Sequence, residues 1–304
     1  MARMTLEGVA CGPAAMEQYR ALETGDILYF PTTPFEITDE DRAFLLTQRQ
    51  VHASYHKNIS YRPAQDRLKG VDARDAADRK RMHAVMKRYS QHAISFVAGL
   101  LPRYTSGWKI DYASFRPNEE QGRKLSRRAR NDLIHVDSFP TRPSYGDRLM
   151  RFFTNVNPER PRIWATSDHF AALARVYARP AGLPFAPAGW WSSLRGEAAR
   201  VLARLGLPVV DRPAYDRFML GFHHFLKENE AFQQNCPKDL WSFPPGSSWI
   251  VFTDASSHAC LSGQYALEQT FIISRESLAY PDVSPISILE QMTGFPLAPG
   301  RNCA

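Results

Sequence analysis

The stretch LIHVDSFP, residues 133 to 140, presents a histidine and a carboxylate two positions apart after an apolar lead-in. On an extended strand, residues i and i+2 point to the same face, so the His135 imidazole and the Asp137 carboxylate converge on one side. A His-x-Asp pair also arises by chance, and its simplest interpretation is a satisfied pair at a strand end. A second histidine is needed to make the pair a metal-site candidate.

That histidine lies in the next block of strand-prone sequence. Residues 243 to 254, FPPGSSWIVFTD, read as a turn and a β-prone run, residues 255 to 257 as a second turn, and His258 begins the strand that follows. Two histidines and one carboxylate with open positions form the usual non-haem iron oxygenase site. The adjacent pair His223 and His224 diverges by about 100° on a helix and cannot chelate together, although one of them remains a candidate contact.

Length and composition are those of a globular enzyme. The chain has 304 residues, of which 44% are hydrophobic and 23% charged, and β-barrel enzymes with helical decoration often reach this length as one domain. We predict a single domain over 1–304. Its α+β, mainly β core is expected to be a double-stranded β-helix (jelly-roll, cupin-like), with a helical N-terminal part and a helical insert at about 166–236.

Within the insert, apolar residues at helical spacing predict helices over 170–178, 193–205 and 214–232. Between the first two, the loop PAGLPFAPAGWW, residues 180 to 191, is either core packing or an interfacial anchor. The start of the chain lacks the apolar core of a secretory signal, and no run of about 18 apolar residues occurs. The four cysteines lack CxxC spacing, which predicts free thiols in a cytoplasmic protein.

A net charge of +7 favours an anionic partner: a nucleic acid, a phosphorylated small molecule or an acidic membrane surface. Five cations lie between residues 123 and 130, just before the His-x-Asp pair. They are either a solvated charge run or a basic lip for an anionic substrate, because arginine forks match phosphate and carboxylate oxygens.

Two segments resemble a known family. IHVDSFPTRPSYGDRLMRFFTNVNP, residues 134 to 158, and WIVFTDASSHACLSGQYALEQTFIIS, residues 249 to 274, look like the Fe(II)/2-oxoglutarate-dependent Kdo hydroxylases, which act on the 3-deoxy-D-manno-oct-2-ulosonic acid (Kdo) of Gram-negative lipid A. The likeness covers most of the chain. It implies that His135, Asp137 and His258 hold Fe(II), leaving positions for 2-oxoglutarate and O₂. It also implies hydroxylation of the sugar at C3, with succinate and CO₂ as co-products.

The resemblance also bears on the cosubstrate. Many relatives carry an Arg or Lys shortly after the distal histidine to hold the 2-oxoglutarate carboxylate, but residues 267 to 269 are Leu, Glu and Gln. Relatives that draw this cation from the strand after the His-x-Asp pair favour Arg151, with Arg148 as the second choice. Asn155, expected on the same strand face as Arg151, is a candidate donor to the cosubstrate or to a water.

Kdo-lipid A carries carboxylates and phosphates at an anionic membrane surface, which suits a basic protein. We therefore expect Arg127, Arg128 and Arg130 to contact the substrate, with peripheral contact at the cytoplasmic face of the inner membrane. Two rivals remain: a cupin-like metalloenzyme that acts on an anionic sugar without 2-oxoglutarate, and a basic nucleic-acid-binding protein. Against the latter, the chain lacks a recognition-helix or zinc-finger motif, and its aromatics are not interleaved with the cations.

Overall fold

The computed structural model of this protein describes residues 3–5, 13–50, 58–72, 76–140, 142–184 and 212–299. The helix predicted over 193–205 and most of the aromatic loop at 180–191 lie outside these residues. The strands of the described part are β1 Arg3–Thr5, β2 Ile27–Phe30, β3 Ile59–Arg62, β4 Arg67–Lys69, β5 Trp108–Arg116, β6 Arg148–Asn155, β7 Arg162–His169, β8 Asp239–Phe243, β9 Ser248–Phe252, β10 Ser256–Ser262 and β11 Ala266–Ile273.

The helices of the described part surround these strands. They are α1 Met16–Thr24, α2 Asp39–Thr47, α3 Ala76–Leu100, α4 Phe170–Tyr177, α5 Ala214–Glu228, α6 Glu230–Asn235 and α7 Pro285–Thr293. A short 3₁₀ turn, Arg127–Ala129, lies in the basic run before the His-x-Asp pair. No helix among the described residues is both long and apolar enough to cross a membrane.

The strands form two sheets. One has eight strands in the order β1-β2-β9-β6-β11-β5-β3-β4, and the other has three in the order β10-β7-β8. Apart from the parallel pair β1 and β2, neighbouring strands are antiparallel. The predicted α+β class with a β core is therefore confirmed.

Strand β6 explains why the large sheet is apolar on both faces. Phe152 points to one face and packs against Phe96 of α3, with ring centroids 5.7 Å apart. Phe153 points to the other face and stacks on Trp249 at 5.2 Å, beside Trp164 of the small sheet. Alternation along the strand thus divides the interior into one core under α3 and a second core between the sheets.

The first helix between β7 and β8 starts at Phe170, as predicted for the helix over 170–178. The insert boundary predicted near residue 166 is too early, because strand β7 continues to His169. Thr166 of β7 is opposite Asp239 of β8 and opposite His258 of β10. Strands on both sides of the helical segment therefore belong to one sheet.

Candidate metal centre

The His-x-Asp stretch is extended but is not the regular strand that we predicted. His135 forms a single antiparallel bridge with His258: the His135 N–H donates to the His258 carbonyl at 3.0 Å, and the His258 N–H donates to the His135 carbonyl at 2.8 Å. The Asp137 N–H donates to the Thr253 carbonyl at 2.7 Å. These contacts keep the two side chains on one face and set His258 beside them.

The side chains of the pair are close and almost buried. His135 Nε2 lies 3.4 Å from Asp137 Oδ1, and the ring centroids of His135 and His258 are 4.7 Å apart. The other oxygen of Asp137 pairs with the Arg151 guanidinium at 2.9 Å. The fold therefore brings together four residues that the sequence analysis placed at one site: His135, Asp137, His258 and Arg151.

Both histidines are held in the tautomer that metal binding needs. His135 Nδ1 lies 2.7 Å from the Leu133 carbonyl, and His258 Nδ1 lies 2.9 Å from the Ser256 carbonyl. A carbonyl can only accept, so each Nδ1 carries the proton and each Nε2 keeps its lone pair.

Electrostatics favour the same state. Burial lowers the pKa of His258 to about 4 and also lowers the pKa of His135. Burial alone would raise the pKa of Asp137, but the positive charge of the Arg151 guanidinium holds it well below its usual range. Two neutral imidazoles and one carboxylate anion at neutral pH form a donor set suited to a divalent metal.

A third histidine, which the sequence analysis left as a secondary contact, also faces the pair. The ligand atoms of His135, Asp137 and His223 lie within 4.8 Å of one another, which is close enough for these three residues to hold a metal ion together. His258 is not in that group, although it shares a cavity with the pair. His223 lies on α5, far along the chain, so no spacing signal connects it with residue 135.

Two cavities meet at His135 and Asp137. We call the smaller one the inner cavity and the larger one the outer cavity. The inner cavity has a volume of about 40 Å³ and is lined by charged, polar and aromatic side chains: Arg116, Asn131, His135, Asp137, Arg151, Phe153, Arg162, Trp164, His258 and Cys260. Burial raises the pKa of the Cys260 thiol to about 11, so this free cysteine is neutral.

The arginines of the inner cavity are only partly paired. Glu268 accepts hydrogen bonds from Arg116 at 2.5 Å and from Arg151 at 2.6 Å. Arg162 donates to the Gly263 carbonyl at 2.9 Å and lies 3.7 Å from Glu120.

Three buried donors that belong to the lining, Arg151 Nε, Arg162 Nε and Trp164 Nε1, have no hydrogen-bond partner among the described residues. Buried donors are normally satisfied, so the inner cavity suits an anion that would accept from them. The sequence analysis missed Arg116, Arg162 and Trp164.

Two cosubstrate predictions on β6 need correction. Arg148 is fully buried and pairs with Asp254 at 2.8 Å, because residues 148 and 151 lie on opposite faces of a strand. The Asn155 amide donates to the carbonyls of Arg160 at 3.0 Å and Phe243 at 2.9 Å. Both of its N–H groups are thus used in holding the turn after β6, and neither Arg148 nor Asn155 lines the inner cavity.

The outer cavity is larger, about 450 Å³, and adjoins the inner cavity at His135 and Asp137. Besides His135 and Asp137, its lining includes polar and basic groups: Asn58, Arg116, Ser126, Arg128, Asn131, Ser138, Arg151, His223, His224 and Lys227. Of the three predicted substrate cations, Arg128 is in this lining. Arg127 and Arg130 are not, and they pair with Glu230 and Asp132 at 2.8 and 2.7 Å.

The family model for 3-deoxy-D-manno-oct-2-ulosonic acid (Kdo) hydroxylase matches residues 12–296. The chain belongs to the Kdo hydroxylase family. Among curated proteins, no relative matches it.

Solved structures of the Kdo hydroxylase KdoO, a non-haem Fe(II) α-ketoglutarate-dependent dioxygenase, resemble this hydroxylase over its whole length. A complex with α-ketoglutarate (2-oxoglutarate) and Fe(III) has a TM-score of 0.82 and 32% identity, covering 98% of both chains. A cobalt(II) complex has a TM-score of 0.85 and 32% identity, and a complex with succinate and Fe(III) has a TM-score of 0.83 and 31% identity. Each of these two matches covers 100% of both chains. The predicted family is confirmed.

Proposed function

We propose that this chain is an Fe(II)- and 2-oxoglutarate-dependent dioxygenase that hydroxylates Kdo at C3 in Kdo-lipid A and releases succinate and CO₂. The observation that carries the proposal is the inner cavity: its lining combines a His–Asp pair with three side chains that each carry a buried donor without a partner among the described residues. The KdoO complexes with α-ketoglutarate and with succinate support this cosubstrate.

We assign Fe(II) to His135, Asp137 and His258. His258 is favoured over His223 as the third ligand because it is bridged to His135 through the backbone and opens into the inner cavity. Its ring also stacks on Trp164, with centroids 5.0 Å apart, which restricts its orientation. Restricted ligands lose little side-chain entropy when the metal binds.

The charges near the inner cavity support a dianionic cosubstrate. Arg116, Arg151 and Arg162 supply three positive charges, and Asp137, Glu268 and Glu120 supply three negative charges. Adding Fe(II) to these six groups leaves two uncompensated positive charges, which the two carboxylates of 2-oxoglutarate neutralise. Neutrality matters because an unpaired charge in a buried site is costly.

We assign the 2-oxoglutarate carboxylates to the free donors of Arg151, Arg162 and Trp164. Arg151 keeps the cosubstrate role predicted for it, but two of its nitrogens already contact Asp137 and Glu268, so Arg162 is the stronger candidate for the distal carboxylate. When bound, the iron supplies the oxidation that converts 2-oxoglutarate to succinate and hydroxylates the sugar. The chain binds and orients both reactants and excludes water.

The outer cavity is the proposed sugar site. The Kdo carboxylate is attached next to C3, so a sugar presented to the metal through C3 requires a cation on the substrate side. Arg128 and Lys227 supply it: Lys227 is 2% exposed, and its Nζ donates to the Arg128 carbonyl at 3.2 Å. Arg127 and Arg130 extend the basic surface toward the rest of an anionic lipid.

The proposed architecture is one dioxygenase domain over 1–304 with a double-stranded β-helix core. Two facing sheets with the site between them support this core, and the pairing of β7 with β8 and β10 supports one domain that includes the helical segment. We propose that the protein is cytoplasmic and works peripherally at the inner membrane.

Anaerobic titration of the protein with Fe(II) and 2-oxoglutarate tests this proposal. We expect a metal-to-ligand charge-transfer band in the wild type that is lost in His135→Ala and His258→Ala. The distant variant His83→Ala should retain it, since His83 pairs with Asp66 on the surface. A full-strength band in His258→Ala would overturn the ligand assignment, and catalysis without succinate release would favour a metalloenzyme that does not use 2-oxoglutarate.

A further inference from the structure

A hydrogen bond from its side chain holds His223 next to the metal-site residues. Its Nδ1 lies 2.7 Å from the carbonyl of Val136, the residue between His135 and Asp137. The rings of His135 and His223 meet edge to face at 4.9 Å. The Val136 carbonyl accepts a hydrogen bond from the protonated Nδ1, so Nε2 of His223 carries a lone pair, as in His135 and His258.

The distances place a ring nitrogen of His223 near the ligand atoms of His135 and Asp137. With metal–ligand bonds of about 2.1 Å, neighbouring donors around a six-coordinate ion are about 3.0 Å apart and opposite donors about 4.2 Å. The ligand atoms of His135, Asp137 and His223 lie within 4.8 Å of one another before any ion draws them together. His223 Nε2 has no hydrogen-bond partner among the described residues, so metal binding would not break one.

His223 lines the outer cavity, whereas His258, Arg162 and Trp164 line the inner cavity. The contact between Nδ1 and the Val136 carbonyl leaves Nε2 as the ring nitrogen that is available to a metal.

We propose that His223 is a fourth protein ligand, which binds the metal from the outer cavity until the sugar enters and displaces it. The inference rests on the proposed function. A six-coordinate ion bound by His135, Asp137, His258 and two cosubstrate oxygens has one position left, and His223 occupies it. Displacement breaks only the bond between the metal and Nε2, so no redox change accompanies it.

The neighbours of His223 explain how a sugar acid would displace it. Lys227 is four residues further along α5 and therefore on the same helix face. A carboxylate drawn to Lys227 brings sugar hydroxyls next to His223, and a hydroxyl can donate to the released Nε2. The coordination position for O₂ then opens only when a sugar is present to be hydroxylated.

Proton NMR of the full chain loaded with cobalt(II) tests the inference, because each cobalt-bound histidine with a protonated Nδ1 gives one strongly shifted, exchangeable N–H signal. We expect three such signals in the wild type with 2-oxoglutarate present. Two should remain in His223→Asn, whose amide can still donate to the Val136 carbonyl and so preserve the fold. Two should also remain in the wild type saturated with Kdo-lipid A, whereas the surface variant His83→Asn is the control that keeps three.

Two signals in the wild type that are unaffected by His223→Asn would overturn the inference while leaving the proposed function intact. Failure to bind cobalt, or signals that survive in His258→Ala, would instead contradict the proposed metal site. A second readout is sugar-free consumption of 2-oxoglutarate. It should rise in His223→Asn relative to the wild type, and an unchanged rate would count against displacement by the sugar.

Discussion

The inner and outer cavities meet at His135 and Asp137, and their cations come from different elements. Arg116, Arg151 and Arg162, which line the inner cavity, project from β5, β6 and β7, and acidic partners hold them in place. Of the cations that line only the outer cavity, Arg128 comes from a short 3₁₀ turn and pairs with Glu228 at 2.7 Å, and Lys227 comes from α5. The side chain of Arg151 is 15% exposed and that of Arg128 60% exposed.

This difference suits the two proposed ligands. A cosubstrate that is the same in every turnover benefits from rigid donors, because little side-chain entropy is lost on binding. A large lipid-linked sugar requires an open entrance. Cations on helices and turns can surround such an entrance, but they are positioned less precisely than cations on strands. Electrostatic effects should accordingly be large and insensitive to salt in the inner cavity, and small and screened in the outer cavity.

The largest effect should come from His135, a metal-site residue that lines both cavities. We expect His135→Ala to lower metal affinity by more than about 100-fold, since even mutating a residue that only supports a metal ligand lowers metal affinity about 10- to 100-fold. Hydroxylation and sugar-free 2-oxoglutarate turnover should both be lost. Calorimetric titration with cobalt(II) measures the affinity, and near-normal binding would mean that the two cavities do not meet at a metal.

Acid should destabilise the metal-free protein through His258, one of the two histidines that line the inner cavity. The pKa of His258 is about 4 in the folded state and about 6.5 when unfolded, so the unfolded chain binds more protons between these pH values. The stability from the neutral ring is fully present above pH 6.5. It falls by about 3 kcal/mol as the pH drops to 4.

Urea unfolding at pH 7 and pH 4.5 measures this loss, with the more exposed His224 as the comparison. The loss of stability should shrink in His258→Gln and persist in His224→Gln. An equal reduction in both variants would remove the electrostatic contrast between the cavities.

Within the inner cavity, Arg162→Lys keeps the charge but removes the fork that we assign to 2-oxoglutarate. We expect the KM for 2-oxoglutarate to rise about 10- to 100-fold, the equivalent of losing one or two charge-assisted hydrogen bonds. The KM for Kdo-lipid A should stay the same. Arg128→Lys is the matched outer-cavity variant and should leave the KM for 2-oxoglutarate unchanged.

Trp164→Phe removes a single donor, the indole N–H, while retaining an aromatic ring beside His258. One neutral hydrogen bond contributes about 1 kcal/mol, so the KM for 2-oxoglutarate should rise about 5-fold. Steady-state kinetics at saturating sugar measure it. If the KM does not change, the indole donor does not face the cosubstrate.

The smallest effect belongs to the outer rim. Arg128→Glu should raise the KM for Kdo-lipid A about 2- to 5-fold, less at high salt, because exposed ion pairs contribute little and are screened. Sugar-free turnover of 2-oxoglutarate should be unaffected. An unchanged KM for the lipid would remove Arg128 from the proposed sugar site.

Much of the architecture was predictable where the signal is local. The apolar run that includes β6 and the amphipathic pattern of α3 both indicate the observed elements. Strand alternation also separates Arg148 from Arg151, and applying it strictly would have excluded Arg148 as a cosubstrate residue. Strand β8 was not predicted, because its burial depends on strands from elsewhere in the chain.

The sequence by itself determined the family, the His135–Asp137 pair and the β-prone run that carries His258, since these depend on residue type and short spacing. Only the tertiary structure decided that Arg162 and His223 line two different cavities that meet at this pair. The reason is physical: contacts between distant segments depend on sheet order and helix packing, which leave no periodicity in the chain. Whether an arginine is fully paired within the protein or can bind an anion depends on such contacts between distant segments.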